Sequence, residues 1–546
     1  MTTARAMVLI SGDPDSMQRG AAELFDRLQA EIEARDLSEE ISLSMVHDIG
    51  RHDVLPVVIV YPEAVVYGPV KPSDAAHLVD EHLYKGRVVE ELLAPVRALT
   101  GQIAWLRARK GPLPAEQRVV LRRAGLIDPE SLDDYLIHDG YQALGKALTQ
   151  MTPEEVIEEV LASGLQGRGG AGFPVGRKWR FVASAPGEKK YVICNADESE
   201  PGTFKDRLIL EGDPFAIIEA MTIAAYAVGA NEGYIYIRGE YPLAYERLEK
   251  AIKTARSHGL LGQNIFDSCF DFDIHVHAGA GAYICGEETA LIESIEGKRG
   301  EPRARPPYPP TRGLWGMPTL VNNVESLANI PPILQNGSTW YRRIGTPDSA
   351  GTKVFTILGN VNQTGLIEVP MGITLREIVS IYAKGMSDGY KLKLFQTGGS
   401  SGSIVPASLQ DTPLGFESFR RAGVSMGSGA LLICDERTCV VDLAKVLMQF
   451  FRFESCGKCT PCRVGTQQAY EMLTRMTEGQ GKLEDIDRLL RLSDSLQQLS
   501  NCGLGQTAAV PLRDILHHYR AEVEAHILLG SCPAGICAMS NAPVPA

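Results

Sequence analysis

Glu454-Ser455-Cys456-Gly457-Lys458-Cys459-Thr460-Pro461-Cys462-Arg463 carries three thiols on one short segment, with two residues between each neighbouring pair. One tight loop can aim such thiolates at a single inorganic centre. An iron–sulfur cluster whose fourth ligand comes from elsewhere in the chain suits this pattern. Redox motifs of the Cys-x-x-Cys type need only two cysteines at this spacing, and structural zinc sites usually take two separated pairs. A disulfide framework fits less well, because three adjacent cysteines cannot all pair locally and the rest of the chain does not look secreted. The chemistry expected of the loop is electron transfer.

The elements that must hold this loop belong to a large soluble protein. At 546 residues the chain exceeds one hydrophobic core and should divide into several domains. Its 67 acidic and 54 basic residues give a net charge of −13, which argues against nucleic acid or an anionic membrane as the main partner. The short apolar start at Met7–Ile10 does not read as a secretory signal, and no run approaches the ~20 apolar residues of a membrane span. Eleven cysteines without an export signal point to a reducing compartment, so the cytoplasm is expected.

Residues 1–95 read as a small α/β unit. A strand at Met7–Ile10 precedes an amphipathic helix with Ala21, Leu24, Phe25, Leu28 and Ile32 on one face, then paired strands at Val57–Tyr61 and Ala64–Tyr67 and a helix over Pro72–Leu83. Residues 96–150 look helical and connecting, with Pro112 and Pro114 as breaks. From Met151 a larger α/β domain begins: Thr152 and Pro153 make a good helix start, and Lys190–Asn195, Gly233–Arg238 and Phe272–His277 are strand candidates. Short strands around a helix at Thr374–Ala383 suggest a compact strand-rich domain, and from Val441 the pattern turns helical.

Three further segments could bind a cofactor. Gly167-Arg168-Gly169-Gly170-Ala171-Gly172 matches G-x-G-x-x-G, yet it follows a helical pattern where a dinucleotide fingerprint should follow a strand. A glycine loop still lets backbone N–H groups approach a phosphate or flat ring, and Arg168 and Lys178 could neutralise a phosphate. Asn195-Ala196-Asp197-Glu198-Ser199-Glu200 puts three carboxylates at the end of an apolar strand, able to accept from ribityl or ribose hydroxyls; a solvated acidic turn is the plainer reading. Gly279 to Ala290 joins small residues to Tyr283, an aromatic face for stacking, while Cys285 reads as a buried small residue.

Together with Asn322-Asn323-Val324-Glu325-Ser326 and the cysteine loop, these segments resemble the NADH-binding flavoprotein subunit of respiratory complex I and the diaphorase subunits of NAD-linked hydrogenases and formate dehydrogenases. The resemblance runs from about Met151 to Arg520. It implies, within an α/β multidomain protein, a Rossmann-like FMN- and NADH-binding domain over 151–345, a ubiquitin-like β-grasp domain over 346–435 and a helical-bundle [4Fe–4S] domain over 436–525; outside it stand 1–95, a thioredoxin-like domain without cluster ligands, 96–150, a helical linker, and 526–546, a Cys/His tail. It further implies an FMN site at Gly167, Arg168, Gly169, Gly170, Lys178, Asn195, Asp197, Tyr283, Gly286, Glu287, Asn322 and Asn323. NAD(H) would meet Phe173 and Phe181, sandwiching the adenine, with Lys178, Glu200 and Glu288; Glu198 and Tyr283 would orient the nicotinamide over the flavin as the catalytic pair. Cluster ligands would be Cys456, Cys459, Cys462 and Cys502.

Where the family often has Lys-Pro-Pro-Phe, this chain has Arg305-Pro306-Pro307-Tyr308; Gly503 stands for a common alanine and Ser326 for a common threonine. The first domain resembles one that holds a [2Fe–2S] cluster in some relatives, but its four cysteines are absent here, leaving a docking scaffold; a degenerate cluster using His47 is the lesser alternative. In the tail, His526, Cys532 and Cys537 could supply three ligands of a tetrahedral zinc site, with Cys439 as a fourth, against buried thiols without metal. The expected function is an NADH dehydrogenase (diaphorase) subunit passing single electrons to partners: iron–sulfur subunits of one complex, among them a small [2Fe–2S] thioredoxin-like subunit and a larger catalytic or electron-carrying one. Electron bifurcation is the rival within this chemistry, and a non-catalytic assembly subunit the rival outside it.

Overall fold

The computed structural model describes residues 4–95 and 116–539; Pro112, Pro114 and the last residues of the expected tail lie outside them. The chain is a mixed α/β protein of several packed units. In the first, β1 (Ala6–Ser11), β2 (Ile41–Val46), β3 (Val58–Tyr61) and β4 (Val65–Tyr67) form a sheet of order β2-β1-β3-β4. Helix α1 (Ala21–Ala34) buries Leu24, Leu28 and Ile32, four residues apart, against it. Strand β2 is absent from the sequence reading, although Ile41, Leu43 and Met45 alternate with serines as a strand requires. This unit is docked firmly on the next one. Tyr61 donates a hydrogen bond to the Gly239 carbonyl at 2.7 Å. A Cβ on Gly239 would stand 2.3 Å from Leu9, and one on Gly281 2.6 Å from Val46, so only glycine permits the approach.

The second unit is built on four parallel strands, β5 (Tyr191–Ala196), β6 (Glu232–Arg238), β7 (Asp273–Gly279) and β8 (Thr319–Asn323), in the order β7-β6-β5-β8. The chain therefore reverses direction across the sheet between β5 and β8, where open α/β sheets bind ligands at strand carboxyl ends. Helix α2 (Pro153–Ala162) starts with a Thr152–Glu155 capping box, and α3 (Val175–Ser184) follows the glycine loop. The loop thus joins two helices, as its sequence context indicated. Helix α4 (Lys205–Gly212) leads into α5 (Pro214–Val228), which is buried nearly all round and centres the core. Residues 116–150 are no simple connector: Val119, Leu121, Tyr135 and Leu144 belong to this same core. The buried Glu368 carboxylate clips the segment by accepting from the N–H groups of Val119, Val120 and Leu121 at 2.8–2.9 Å.

After α6 (Glu288–Ile295) and α7 (Val324–Ala328), five strands form the third unit: β9 (Thr352–Gly359), β10 (Gly365–Pro370), β11 (Leu392–Thr397), β12 (Ile404–Pro406) and β13 (Ala430–Asp435). Their order is β10-β9-β13-β11-β12, with β9 and β13 parallel. The expected helix at 374–383 is one α-turn, Leu375–Glu377, running on into a wider π-turn, Ile378–Tyr382. Six helices close the chain: α8 (Val440–Glu454), α9 (Thr460–Thr477), α10 (Leu483–Leu499), α11 (Gly503–Ala508), α12 (Val510–His518) and α13 (Arg520–Leu528). Among the described residues no helix is long and apolar enough to cross a membrane.

Candidate functional site

The carboxyl ends of β5 and β8 bring the glycine loop, the acidic segment and the paired asparagines together. Asn195 donates to the Gly286 carbonyl at 2.8 Å and accepts from the Asp197 N–H at 3.1 Å. Asn322 accepts from the Trp179 indole at 2.9 Å. A Cβ on Gly169 would press on Asn323 at 3.1 Å. Asn323 in turn donates to Asp206 at 2.6 Å, the outer member of a buried ion network: Lys205 lies 2.7 Å from Asp206 and 3.0 Å from Glu325, and Lys353 of β9 lies 2.6 Å from Glu325. Buried charges persist there because each is paired. Burial brings Lys353 down to about 8, with Glu325 opposing that fall.

Two acceptors in this cradle are left over. Asp197 Oδ2 and Glu287 Oε1 are buried with no hydrogen-bond partner. Burial lifts the Asp197 carboxyl to about 7, with the Arg238 guanidinium working against the rise. Buried acceptors are normally satisfied, so a hydroxyl-rich ligand fits this cradle. The glycine loop departs from expectation in one respect. Arg168 turns its guanidinium inward, donating to Tyr341 at 3.2 Å and the Ala350 carbonyl at 2.8 Å, while its N–H donates to Ser326 at 2.8 Å. The loop backs onto the third unit here, with Gly172 against Phe416, and the arginine follows it in. Ser326 needs only the hydroxyl it shares with threonine.

Phe173 and Phe181 stand exposed with ring centroids 6.5 Å apart and a 40° tilt. That leaves two faces for a flat ring at the opening of the cradle. Lys178, one turn before Phe181, reaches Glu288 and the Val321 carbonyl, each at 3.1 Å. Arg305 lies 3.5 Å from Glu287 and 3.8 Å from Glu288. Glu198 is turned away from solvent: it accepts from the N–H groups of Asp206 and Arg207, both at 3.0 Å, at the start of α4. Burial, reinforced by the Asp206 carboxylate, raises its pKa. Glu200 accepts from the Ser401 N–H at 2.7 Å and hydroxyl at 2.6 Å. Tyr283 sets its ring edge-on to Phe450 at 5.1 Å, and its N–H donates to Glu454 at 3.0 Å.

Glu454 is the last residue of α8, so this bond ties Tyr283 to the cysteine loop. Cys459 is the N-cap residue of α9 and Cys502 that of α11, placing both cysteines at helix N-termini. Burial lifts Cys462 to about 11, with the Ser455 hydroxyl at 3.2 Å opposing it; Cys456, Cys459 and Cys502 lie close enough to act on it. Cys502 is raised by burial and, among other groups, by the charge of Glu287. The cradle and the cysteine loop are therefore electrostatic neighbours. Arg299 and Lys458 pin the loop to the 299–302 segment through the carbonyls of Cys456 and Pro302. Nothing in the structure explains Gly503, where a Cβ would meet no atom within 4 Å.

The tail closes on itself differently. The ligand atoms of Cys439, His526, Cys532 and Cys537 all lie within 4.8 Å of one another. Cys439 Sγ is 3.3 Å from His526 Nε2 and 3.5 Å from Cys537 Sγ. His526 Nδ1 faces the Glu522 carbonyl at 2.8 Å, which frees Nε2 for a metal. Burial works against Cys532, yet the N–H groups of Cys537 and Ile536 bring its thiol down to about 6.

Glu454, Arg238, Lys205, Glu325 and Lys353 have no place in the sequence-based site. Glu454 and Glu325 fall inside quoted motifs, but their contacts with Tyr283 and Lys353 span 171 and 28 residues.

Residues 160–332 match the Nuo51 FMN-binding domain, and residues 442–526 the NADH-ubiquinone oxidoreductase-F iron-sulfur binding region. The NADP-reducing hydrogenase subunit HndC of Solidesulfovibrio fructosivorans is 51% identical over 77% of this chain and 85% of its own. An F-type NADH-quinone oxidoreductase subunit of Rhizobium meliloti is 48% identical over 76% of this chain and 99% of its own. A chain of the NAD+-reducing [NiFe]-hydrogenase in the H2-reduced state superposes with a TM-score of 0.71 at 32% identity, covering 96% of this chain and 85% of that one.

Proposed function

Because the chain belongs to the family of F-type NADH-quinone oxidoreductase subunits and their hydrogenase counterparts, we propose a route for electrons through its own residues, from the Phe173–Phe181 opening to the cysteine loop. The chain is an NADH dehydrogenase module with FMN and a [4Fe–4S] centre, an oxidoreductase subunit of a multisubunit complex. When bound, FMN accepts hydride as an electron pair and releases electrons singly, the form an iron–sulfur centre carries.

In this reading Phe173 and Phe181 hold the adenine, Lys178 and Glu288 the adjoining sugar and phosphates, and Tyr283 and Glu200 the nicotinamide end. Glu198 supports that end from behind by fixing the start of α4. Asp197, Glu287, Asn195, Asn322 and Asn323 take the ribityl and ring polar groups of FMN, with the main chain of Gly167–Gly170 at its phosphate. Arg168 contributes its backbone and the inner wall. Cys456, Cys459, Cys462 and Cys502 hold the cluster. The observation that carries the reading is the pair of buried acceptors without a hydrogen-bond partner, Asp197 Oδ2 and Glu287 Oε1, the second belonging to a carboxylate whose charge acts on Cys502.

The same reading assigns thioredoxin-like, Rossmann-like, β-grasp and helical-bundle character to the four units, and a cytoplasmic complex whose partners are iron–sulfur subunits. The tail holds one zinc ion on Cys439, His526, Cys532 and Cys537, a donor set and closeness that suit tetrahedral zinc. The experiment is NADH-dependent reduction of an artificial electron acceptor by FMN-loaded protein. Turnover supports the route; a fully loaded protein without turnover favours the assembly-subunit reading.

A further inference from the structure

The third unit grips the acidic segment at three points. Thr356 of β9 donates to the Gly202 carbonyl at 2.7 Å, and the hydroxyls of Thr203 and Ser428 lie 3.3 Å apart, just ahead of β13. The third grip falls on Glu200. Ser401, in the turn between β11 and β12, donates to Glu200 Oε1 through its N–H at 2.7 Å and its hydroxyl at 2.6 Å. The turn is built for this approach: Gly399 has a φ of +83°, and a Cβ on it would stand 2.1 Å from Glu200 Cγ.

Both bonds end on one carboxylate oxygen, so they fix where Glu200 sits. Hydrogen bonds to a charged acceptor are short and strong, which makes this hold firmer than a neutral pair would. Tyr283 joins the same group. Burial raises the Glu200 carboxyl, with hydrogen bonds from Ser401 and Tyr283 working against the rise. Burial likewise holds the Tyr283 phenol well above its ordinary value; the Glu200 carboxylate adds to that, and a hydrogen bond with Ser401 opposes it. Three side chains from three parts of the chain thus form one hydrogen-bonded set.

We propose that Ser401 is a positioning residue for hydride transfer: it holds Glu200 and, with it, the Tyr283 hydroxyl, so that the third unit completes the nicotinamide end of the site. Glu200 then presents its carboxylate in one orientation before a nucleotide arrives, and its side chain need not be ordered on binding. The inference rests on the reading of Tyr283 and Glu200 as the nicotinamide end.

The test compares FMN-loaded wild type, S401A, S401T, E200A and the S401A/E200A double variant. It reads kcat/KM for NADH with an artificial acceptor, and calorimetric binding of NAD⁺ and of ADP-ribose, which lacks the nicotinamide. S401A keeps the backbone bond and loses the hydroxyl. Its kcat/KM should fall about tenfold and its NAD⁺ affinity should fall too, with ADP-ribose bound as in wild type; S401T restores the hydroxyl and should recover most of the loss. In the E200A background S401A should cost less than about twofold. A kcat/KM indifferent to S401A, an equal cost with and without Glu200, or a parallel loss of ADP-ribose binding overturns the proposal. E200A keeps the two levels apart: if it leaves kcat/KM for NADH unchanged, Glu200 is not at the nicotinamide end and the underlying reading has failed, whereas a loss in E200A beside an unmoved S401A condemns Ser401 alone.

Discussion

The electron path and the tail are both rich in cysteine, and they are finished to different degrees. Along the proposed path, Asp197 Oδ2 and Glu287 Oε1 lack hydrogen-bond partners. In the tail, three sulfurs and an imidazole nitrogen close on one another. A cluster several atoms across needs thiolates held apart, whereas a single tetrahedral ion needs them drawn in. In the proposed reading the two sulfur centres differ in kind: one takes a large redox group, the other a single ion that clips a C-terminal segment to the start of α8.

Replacing one path cysteine should break this comparison most severely. C462S should abolish the iron content and visible absorbance of the cluster while leaving the zinc proposed for the tail unchanged, as read by elemental analysis. D197N comes next. Removing an acceptor that carries charge should weaken FMN binding by about tenfold to 100-fold, measured by flavin fluorescence. It should also flatten a pH dependence. Because burial holds the Asp197 carboxyl at about 7, above its ordinary 3.8, its contribution to the stability of flavin-free protein is present below about 4 and lost as pH rises through 7. Thermal melts between pH 5 and 8 should show that loss in wild type and not in D197N.

Smaller effects belong to the tail. C532S should lose zinc and about 2 kcal/mol of stability, roughly 5 °C in melting temperature, with the [4Fe–4S] centre unchanged. Smallest is K393M. Lys393 donates to the Thr438 carbonyl at 2.6 Å and to Glu522 at 3.0 Å, steadying the neighbours of two tail ligands. Its loss should weaken zinc retention against a chelator about tenfold.

The cysteine loop was legible because its spacing is local and its chemistry narrow. Cys502 was not, since nothing near it specifies a partner; the family resemblance supplied it. Cys439 and His526 lie 87 residues apart, and only the fold brings them together. The three cofactor segments were readable as small-residue and acidic runs. What holds them was hidden: Glu454 meets Tyr283 across 171 residues, and Lys353 reaches Glu325 from another sheet. Arg168 shows the opposite failure. A cation in a glycine loop suggests phosphate, but the packing of that loop on the third unit turns the guanidinium inward.

The central claim is that the Phe173–Phe181 opening, the Asp197–Glu287 cradle and the four-cysteine loop form one route. Anaerobic titration of FMN-loaded, cluster-containing protein with NADH tests it most directly, following flavin absorbance together with the electron paramagnetic resonance of the cluster. Bleaching of the flavin with the rise of a reduced [4Fe–4S] signal, and bleaching without that signal in C462S, is the expected result. A wild-type flavin that bleaches while the cluster stays oxidised, or that ignores NADH altogether, would contradict it.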